Sequence, residues 1–295
     1  SRVGITEDGG KSFRELLSYS GVHPDHHAWY INPNDPSLLI NGNDGGLNVS
    51  RDMGKTWFFA EGITVGQFYH INVDNEVPYN VYGGMQDNGS WKGPAYHLKG
   101  AIGNSDWTEL YFGDGFDVLP HPSDPAVVYA MAQEGSLARV NVSNGIKTYI
   151  KPAHPEGKTL RWHWNSPIAA DPFNPDGVYY GSQHVHYSQD RGASWAILSP
   201  DLTSNNPEKQ KFLESGGLTF DVTGAEMHTC LLAIAPSSQQ KGLIWTGSDD
   251  GYVQLTRDGG STWTRCSIKG LPEGAWVPQV RASTVNAAEA WVVVN

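Results

Sequence analysis

The 295-residue chain has two cysteines, Cys230 and Cys266, four methionines and only 17% charged residues. Two thiols are too few for a disulfide scaffold, and their separation lacks the spacing of a metal-ligand cluster. No apolar run approaches the ~20 residues that a membrane span requires. The opening Ser-Arg-Val-Gly-Ile-Thr-Glu-Asp has neither the basic start nor the apolar core of a signal peptide. Taken as it stands, the stretch reads as soluble and untargeted. Basic residues are the minority, 20 against 31 acidic, and the formal charge of −11 repels a phosphate backbone. Nucleic acid and direct membrane insertion are therefore not expected, and no motif calls for a cofactor or a metal. The chain also lacks the Ala, Glu, Lys and Leu enrichment of a helical bundle or coiled coil.

What is abundant is glycine, 34 residues, together with 11 Trp, 13 Tyr and 9 Phe. That combination excludes disorder and favours many tight turns between aromatic-rich strands. One eight-residue pattern, Ser/Thr-x-Asp-x-Gly-x-Ser/Thr-aromatic, occurs four times: Thr6 to Phe13, Ser50 to Trp57, Ser188 to Trp195 and Thr256 to Trp263. The interval from Asp8 to Asp52 is close to the ~45 residues of a four-stranded propeller blade, and that from Asp52 to Asp190 is about three times as long. Two degenerate copies are expected in the long interval, at Gln86 to Trp91 and Val142 to Tyr149. A second element recurs upstream, in Asn32-Pro-Asn-Asp-Pro36, His121-Pro-Ser-Asp-Pro125 and Asp171-Pro-Phe-Asn-Pro175, each leading into a short apolar run. Each unit thus reads as four strands with a Pro/Asn/Asp turn, a Gly-rich turn and an Asp turn between them.

The chemistry of the pattern accounts for its residues. Aspartate accepts backbone N–H groups across a tight turn, glycine takes the positive φ other residues resist, and the hydroxyl closes the hairpin. Asp8, Asp52, Asp190 and Asp258 are accordingly read as structural.

These four motifs resemble the Asp-box (BNR repeat) propellers, a group that includes sialidases, xyloglucanase-type glycoside hydrolases and sortilin-type receptors. A closer similarity is to large bacterial sortilin-like proteins commonly labelled glycosyl hydrolases. It is carried by His23-Pro-Asp-His-His-Ala-Trp29, Asn43-Asp-Gly-Gly46, Gly66-Gln-Phe-Tyr-His70, Pro78 to Gly83, Gln86-Asp-Asn88, Ser199-Pro-Asp-Leu-Thr203 and Gly247-Ser-Asp-Asp-Gly251. The resemblance implies an all-β propeller and an extracytoplasmic setting, periplasmic, surface or secreted, but no single function. The arginine triad of sialidases has no matching motifs here. The two-propeller cleft of xyloglucanase-type enzymes is more than a chain of at most one propeller supplies.

Residues 21–282 read as five units, with 1–20 and 283–295 as partial blades. Residues 1–295 are thus either a ring of about six apparent blades, first and last segments shared, or a contiguous segment of a larger double propeller, the reading favoured here.

Candidate site residues fall in the loops around the inner strands. His23, Asp25, His26 and His27 precede a unit's first strand. A hydrogen-bonded loop is favoured there over a metal site, because adjacent His26 and His27 point to opposite faces if extended. Asp44, Asp87, Asp114, Asp249 and Asp250 sit in Gly-rich turns that together form an acidic funnel if they face the channel, although Asp-Gly is also simply a good hairpin turn. Arg161, Trp164 and Asn165 belong to Arg-Trp-His-Trp-Asn, where aromatic faces alternate with polar groups that suit a sugar ring or an extended peptide. Core packing by Trp162 or Trp164 is an equal alternative. Asp114 and Glu226 are the candidate acid and base, a pair that must stand roughly 5–9.5 Å apart. His184 and His186 are expected on a solvated outer strand face, and Cys230 and Cys266 are expected to be unbonded.

The leading expectation is a propeller that binds an extended polymer, a protein segment or a polysaccharide, at its channel face. A glycoside hydrolase, or a scaffold subunit within a multi-subunit complex or a longer chain, are the alternatives.

Overall fold

Short apolar runs between Gly-, Pro- and Asp-bearing turns give twenty-four strands and almost no helix among the residues described, which are 2–17, 21–63, 65–98, 100–211 and 227–295 of a computed structural model. They fall into two units, Ser1–Gln67 with Ala101–Asp106, and Phe68–Gly100 with Trp107–Asn295.

In the first unit, β1 (Val3–Ile5) and β2 (Arg14–Leu17) form an antiparallel hairpin. β3 (His26–Ile31), β4 (Leu39–Asn43), β5 (Gly46–Ser50) and β6 (Phe58–Phe59) form a four-stranded meander in chain order. Gly54 has φ +80, a conformation that favours glycine, and a Cβ there would lie 2.3 Å from Leu16 Cδ1 and displace that side chain.

The second unit repeats the meander four times. Its sheets are β7 (Ile71–Val73), β8 (Asn80–Met85), β9 (Gly89–Pro94) and β10 (Thr108–Tyr111); then β11 (Val118–Pro120), β12 (Val127–Ala132), β13 (Ser136–Asn141) and β14 (Lys147–Tyr149). They continue with β15 (Ile168–Asp171), β16 (Asn174–Gly181), β17 (Val185–Ser188) and β18 (Ala196–Ile197); then β19 (Leu231–Pro236), β20 (Ile244–Ser248), β21 (Val253–Thr256) and β22 (Thr264–Arg265). A hairpin of β23 (Gln279–Ala282) and β24 (Ala290–Val293) follows. The strands match the expected four-stranded units.

Within this unit the sheets pack face to face. Phe116, Tyr129, Met131 and Leu137 of one sheet meet Trp162, Ile168, Val178 and Tyr180 of the next, all nearly excluded from solvent. Each such side chain contributes ~1.5–3 kcal/mol of transfer free energy. β12 is buried along its whole length, which explains its unbroken Val-Val-Tyr-Ala-Met-Ala run. Where β8 approaches the next connector the backbones themselves touch: a Cβ on Gly84 would lie 2.2 Å from the carbonyl carbon of Gly115.

An antiparallel meander sends its turns alternately to two ends. The first-to-second and third-to-fourth turns lie at one end, and the second-to-third turn and the connector to the next sheet lie at the other. The aspartate motifs occupy the former. Asp190 accepts from Ser194 N (2.8 Å), Ser194 Oγ (2.6 Å) and Ser188 Oγ (2.7 Å), while Ser188 Oγ accepts from Gly192 N (2.7 Å). Hydrogen bonds to the flanking hydroxyls and amides hold the carboxyls of Asp8, Asp52, Asp190 and Asp258 down to about 2. Arg191 clips neighbouring turns at the same end through Asp124 (2.7 Å) and Asp176 (2.6 Å).

Two expectations are corrected here. Gln86 to Trp91 is a second-to-third-strand turn, joining β8 and β9, and so is not a degenerate aspartate motif. Val142 to Tyr149 does stand in the third-to-fourth position, running from the end of β13 into β14. His186 lies on no solvated face: it is fully buried, stacked 5.4 Å from Trp162 and bonded to Ser182 Oγ at 2.8 Å. Its side of β17 packs under the aromatic connector of its own sheet, which strand alternation alone does not show.

Candidate functional site

The connectors and second-to-third turns share one end of each sheet, and nearly every site residue singled out from the sequence lies there. In the first unit, His27 Nε2 pairs with Asp44 Oδ1 at 2.6 Å, and Asp44 N donates to the carbonyl of Asp25 at 3.3 Å. His26 Nδ1 meets Asn41 Oδ1 at 2.9 Å, and His23 Nδ1 faces its neighbour's carbonyl at 3.0 Å. Asp25 holds φ 58, a left-handed conformation that aspartate tolerates. His26 and His27 thus open β3 itself and do not precede it as expected, and side-chain hydrogen bonds tie this strand and the residues before it to β4 and the turn after it.

In the second unit a repeated clamp organises the face. In three of its four four-stranded sheets, a residue one or two places beyond the second strand accepts a backbone N–H from the connector leading into its own sheet. Gln133 Oε1 accepts from Asp114 N at 2.8 Å, Gln183 Oε1 from Arg161 N at 2.8 Å, and Asp249 Oδ1 from Cys230 N at 3.0 Å. Gln86 holds the equivalent place and accepts from Tyr69 Oη at 2.5 Å. Gln133 and Gln183 carry no motif and escape a reading of the sequence alone. Aligning the ends of the second strands is the signal that finds them.

The acidic turns are largely engaged by this scaffold. Asp114 Oδ1 accepts from Asp87 N at 2.9 Å and is 7% exposed, and Asp250 accepts from Ser248 Oγ (2.5 Å) and Ser204 N (2.7 Å). Arg161 donates to Asp201 and, through Nε, to the carbonyl of Thr229 at 3.0 Å. Trp162 is core, stacked on Tyr180 at 5.0 Å, while Trp164 packs half-buried against the same cluster. Glu226, the proposed partner of Asp114, lies outside the described residues. Cys230 and Cys266 are both free thiols, and burial pushes Cys230 well above its ordinary value.

What the face does gather is a set of side chains at the ends of consecutive connectors. Asn165 Nδ2 donates to His70 Nε2 at 2.8 Å, joining connectors that lead into β15 and β7. Between them in sequence, Asp117 accepts from Asn72; burial drives its carboxyl up, opposed by the charge of His70 and by that hydrogen bond. His163, held neutral by burial, accepts from Asn165 N at 3.0 Å and meets the Trp276 ring edge-on at 5.3 Å. Trp276 also contacts His228 at 6.3 Å, and His228 Nδ1 lies 3.0 Å from Asp249 Oδ1. His228 is directed by Thr229, a fully buried β-branched residue at φ 61, a strained backbone conformation of the kind concentrated at functional sites. Trp276 is 37% exposed, and His70, Asn165 and His228 are each partly exposed. His70, His163, His228 and Trp276 were not singled out as ligand-facing groups together, because only the fold brings their connectors to one point. Asn165 was, through its aromatic neighbours.

No helix among the described residues is long and apolar enough to cross a membrane. No family model matches the chain, and no curated protein matches it either. Among solved structures, an ancestral GH74 enzyme is similar over 89% of this chain and 33% of its own, with TM-score 0.51 and 12% identity. YCF48 bound to D1 peptide aligns with 100% of this chain and 84% of its own at TM-score 0.48 and 12% identity. The RRP9 WD40 repeats align with 93% of this chain and 88% of theirs at TM-score 0.46 and 10% identity. The chain spans about a third, 33%, of the ancestral GH74 enzyme's length. With the repeated four-stranded meanders, the first of these likenesses identifies the fold as a multi-blade β-propeller.

Proposed function

We propose that the chain is an extracytoplasmic, sortilin-like Asp-box propeller that binds an extended polymeric ligand, a protein segment or a glycan, on its connector face. The observation that carries this reading is the run of contacts from His70 through Asn165 and His163 to Trp276 and His228. An exposed indole flanked by hydrogen-bonding groups suits a ligand with alternating apolar and polar surfaces. The clamps through Gln133, Gln183 and Asp249 pre-order the connectors, so little ordering entropy is lost on binding. Binding to peptide and glycan arrays, followed by titration of the hits, tests it. Trp276→Ala and Asn165→Ala should each weaken the hit at least ~10-fold, equivalent to ~1.4 kcal/mol. Unchanged affinity in both variants refutes the reading.

A hydrolase is the second reading, and Asp117 supports it: a buried carboxyl pushed toward its protonated form beside His70 is poised to hold a proton. Asp117→Asn should then abolish glycan turnover while affinity stays within ~10-fold. Turnover that survives the substitution removes Asp117 from that role.

A further inference from the structure

The turn between β20 and β21 carries a second feature, lined by residues other than those that converge on Trp276. Asp250 fastens the segment after Leu202 to this turn through Ser204 N at 2.7 Å. That segment continues into a short 3-10 turn, Pro207–Gln210, capped by Asn206, which places Lys209. The connector leaving β22 passes opposite. Between them lies a cleft of about 600 Å³, a size typical of ligand sites.

Its two cations and two acids are engaged unequally. Lys209 and Arg265 both line the cleft, and neither has an ion pair or a side-chain hydrogen bond among the described residues. Lys209 Nζ reaches across to the Gly274 backbone, where an added Cβ would sit 3.5 Å from it. The Arg265 guanidinium lies 3.4 Å from the centroid of the Tyr252 ring, which holds its donor fork in a fixed plane. Of the two acids in the lining, Asp250 has its oxygens taken by Ser248 and Ser204. Glu273 is exposed on the rim, available to accept a backbone N–H. Among the described residues these two cations have no ion pair, and Asp250 is already engaged by Ser248 and Ser204, so the cleft keeps donors free for an added anion.

The remaining wall decides which anion. It is aliphatic, made by Ile268, Leu271 and Pro272. A pyranose ring seeks an open aromatic face, and the one aromatic present, Tyr252, has its face covered by Arg265. A uronate sugar is therefore poorly served, whereas a peptide places a carboxylate and an aliphatic side chain within one or two residues of each other. We infer that this cleft binds an acidic peptide segment, its Asp or Glu carboxylate held by Lys209 and Arg265 and a neighbouring aliphatic side chain set against Ile268 and Leu271. The inference stands on this cleft alone and does not require the proposed role of Trp276.

The test is fluorescence polarisation of the full chain with a labelled peptide of alternating leucine and aspartate, its leucine–asparagine counterpart, and labelled oligogalacturonate. The acidic peptide should bind, and its asparagine counterpart at least ~10-fold more weakly. Lys209→Gln and Arg265→Gln, both exposed positions, should each weaken the acidic peptide by a comparable factor, while Trp276→Ala leaves it unchanged. Raising salt from ~0.05 to ~0.5 M on the unaltered chain should also weaken binding, giving a readout that needs no variant. Equal binding of the two peptides, unchanged affinity in the double glutamine variant, or preference for oligogalacturonate over the peptide would each overturn the inference.

Discussion

Asp249 and Cys230 exchange hydrogen bonds in both directions: Cys230 N donates to Asp249 Oδ1 at 3.0 Å, and Asp249 N donates to the Cys230 carbonyl at 3.1 Å. One residue follows the second strand of its sheet and the other precedes the first strand, so the exchange locks the start of β19 to the end of β20. The same carboxylate faces His228. Asp249→Ala should cost ~2–4 kcal/mol in urea unfolding, because the buried Cys230 N–H loses its acceptor and the second bond of the exchange loses its framing. Asp249→Asn, which keeps an acceptor for Cys230, should cost less. Equal losses in the two variants would show that charge, and not the backbone clamp, is what the site requires.

His186 gives the chain an acid-sensitive element. Burial, reinforced by His184 and His154, lowers its pKa from 6.5 to about 3. Below 6.5 the unfolded chain takes up a proton that the native ring does not. Stability is therefore fully present above that pH and declines as pH falls toward 3, by an amount on the order of a few kcal/mol. Its Nδ1 is buried without a partner among the described residues. His186→Phe keeps the stack on Trp162 and removes its titrating group, so the loss of stability between about pH 7 and pH 4 should become shallower, with His163 still contributing.

The aspartate motifs act lower on the scale. Their carboxyls are held down from 3.8 to about 2, so the stability they confer is present above ~4 and is lost as pH falls through 2. Asp190→Ala should shift the urea midpoint down at pH 7 and have a much smaller effect near pH 2, about the folded-state value. The same shift at both pH values would mean that the carboxylate's charge state is immaterial to the turn.

Gly84→Ala should be among the most damaging single substitutions. The added methyl would meet the Gly115 carbonyl carbon at 2.2 Å and the Phe116 nitrogen at 2.3 Å, and backbone cannot swing aside as a side chain does. The expected result is loss of cooperative unfolding in the second unit, monitored by near-UV circular dichroism. A native-like spectrum and midpoint would show that β8 and the 113–116 connector have room to separate.

Much of the fold is written locally. The aspartate motifs and the Pro/Asn/Asp turns are short-range chemistry, and the apolar runs Leu38 to Ile40, Val127 to Tyr129 and Val178 to Tyr180 do fall within or beside second strands. Gln86 to Trp91 misled because one tight Gly turn looks like another until strand pairing assigns its end of the sheet. The site is less legible. Asp87, Asp114, Asp249 and Asp250 are visible as acidic turns, but whether a carboxylate faces solvent or a backbone amide depends on a connector dozens of residues away. His70 and Asn165 meet across 95 residues, a contact no local pattern encodes. Gln133 and Gln183 do the same work as Asp249 with a different side chain, which hides their equivalence.

The separation of the two ends of each sheet has a practical side. Ala193 is exposed within the Asp190 turn, at the far end of its sheet from Arg161, Gln183 and Trp164. With Cys266, a partly exposed free thiol, replaced by serine, a single cysteine introduced there would carry a biotin or a fluorophore on a rigidly hydrogen-bonded hairpin. Immobilised through that point, the chain presents its connectors to solution in one orientation, so ligand capture and its kinetics are read without the tether competing for the same surface.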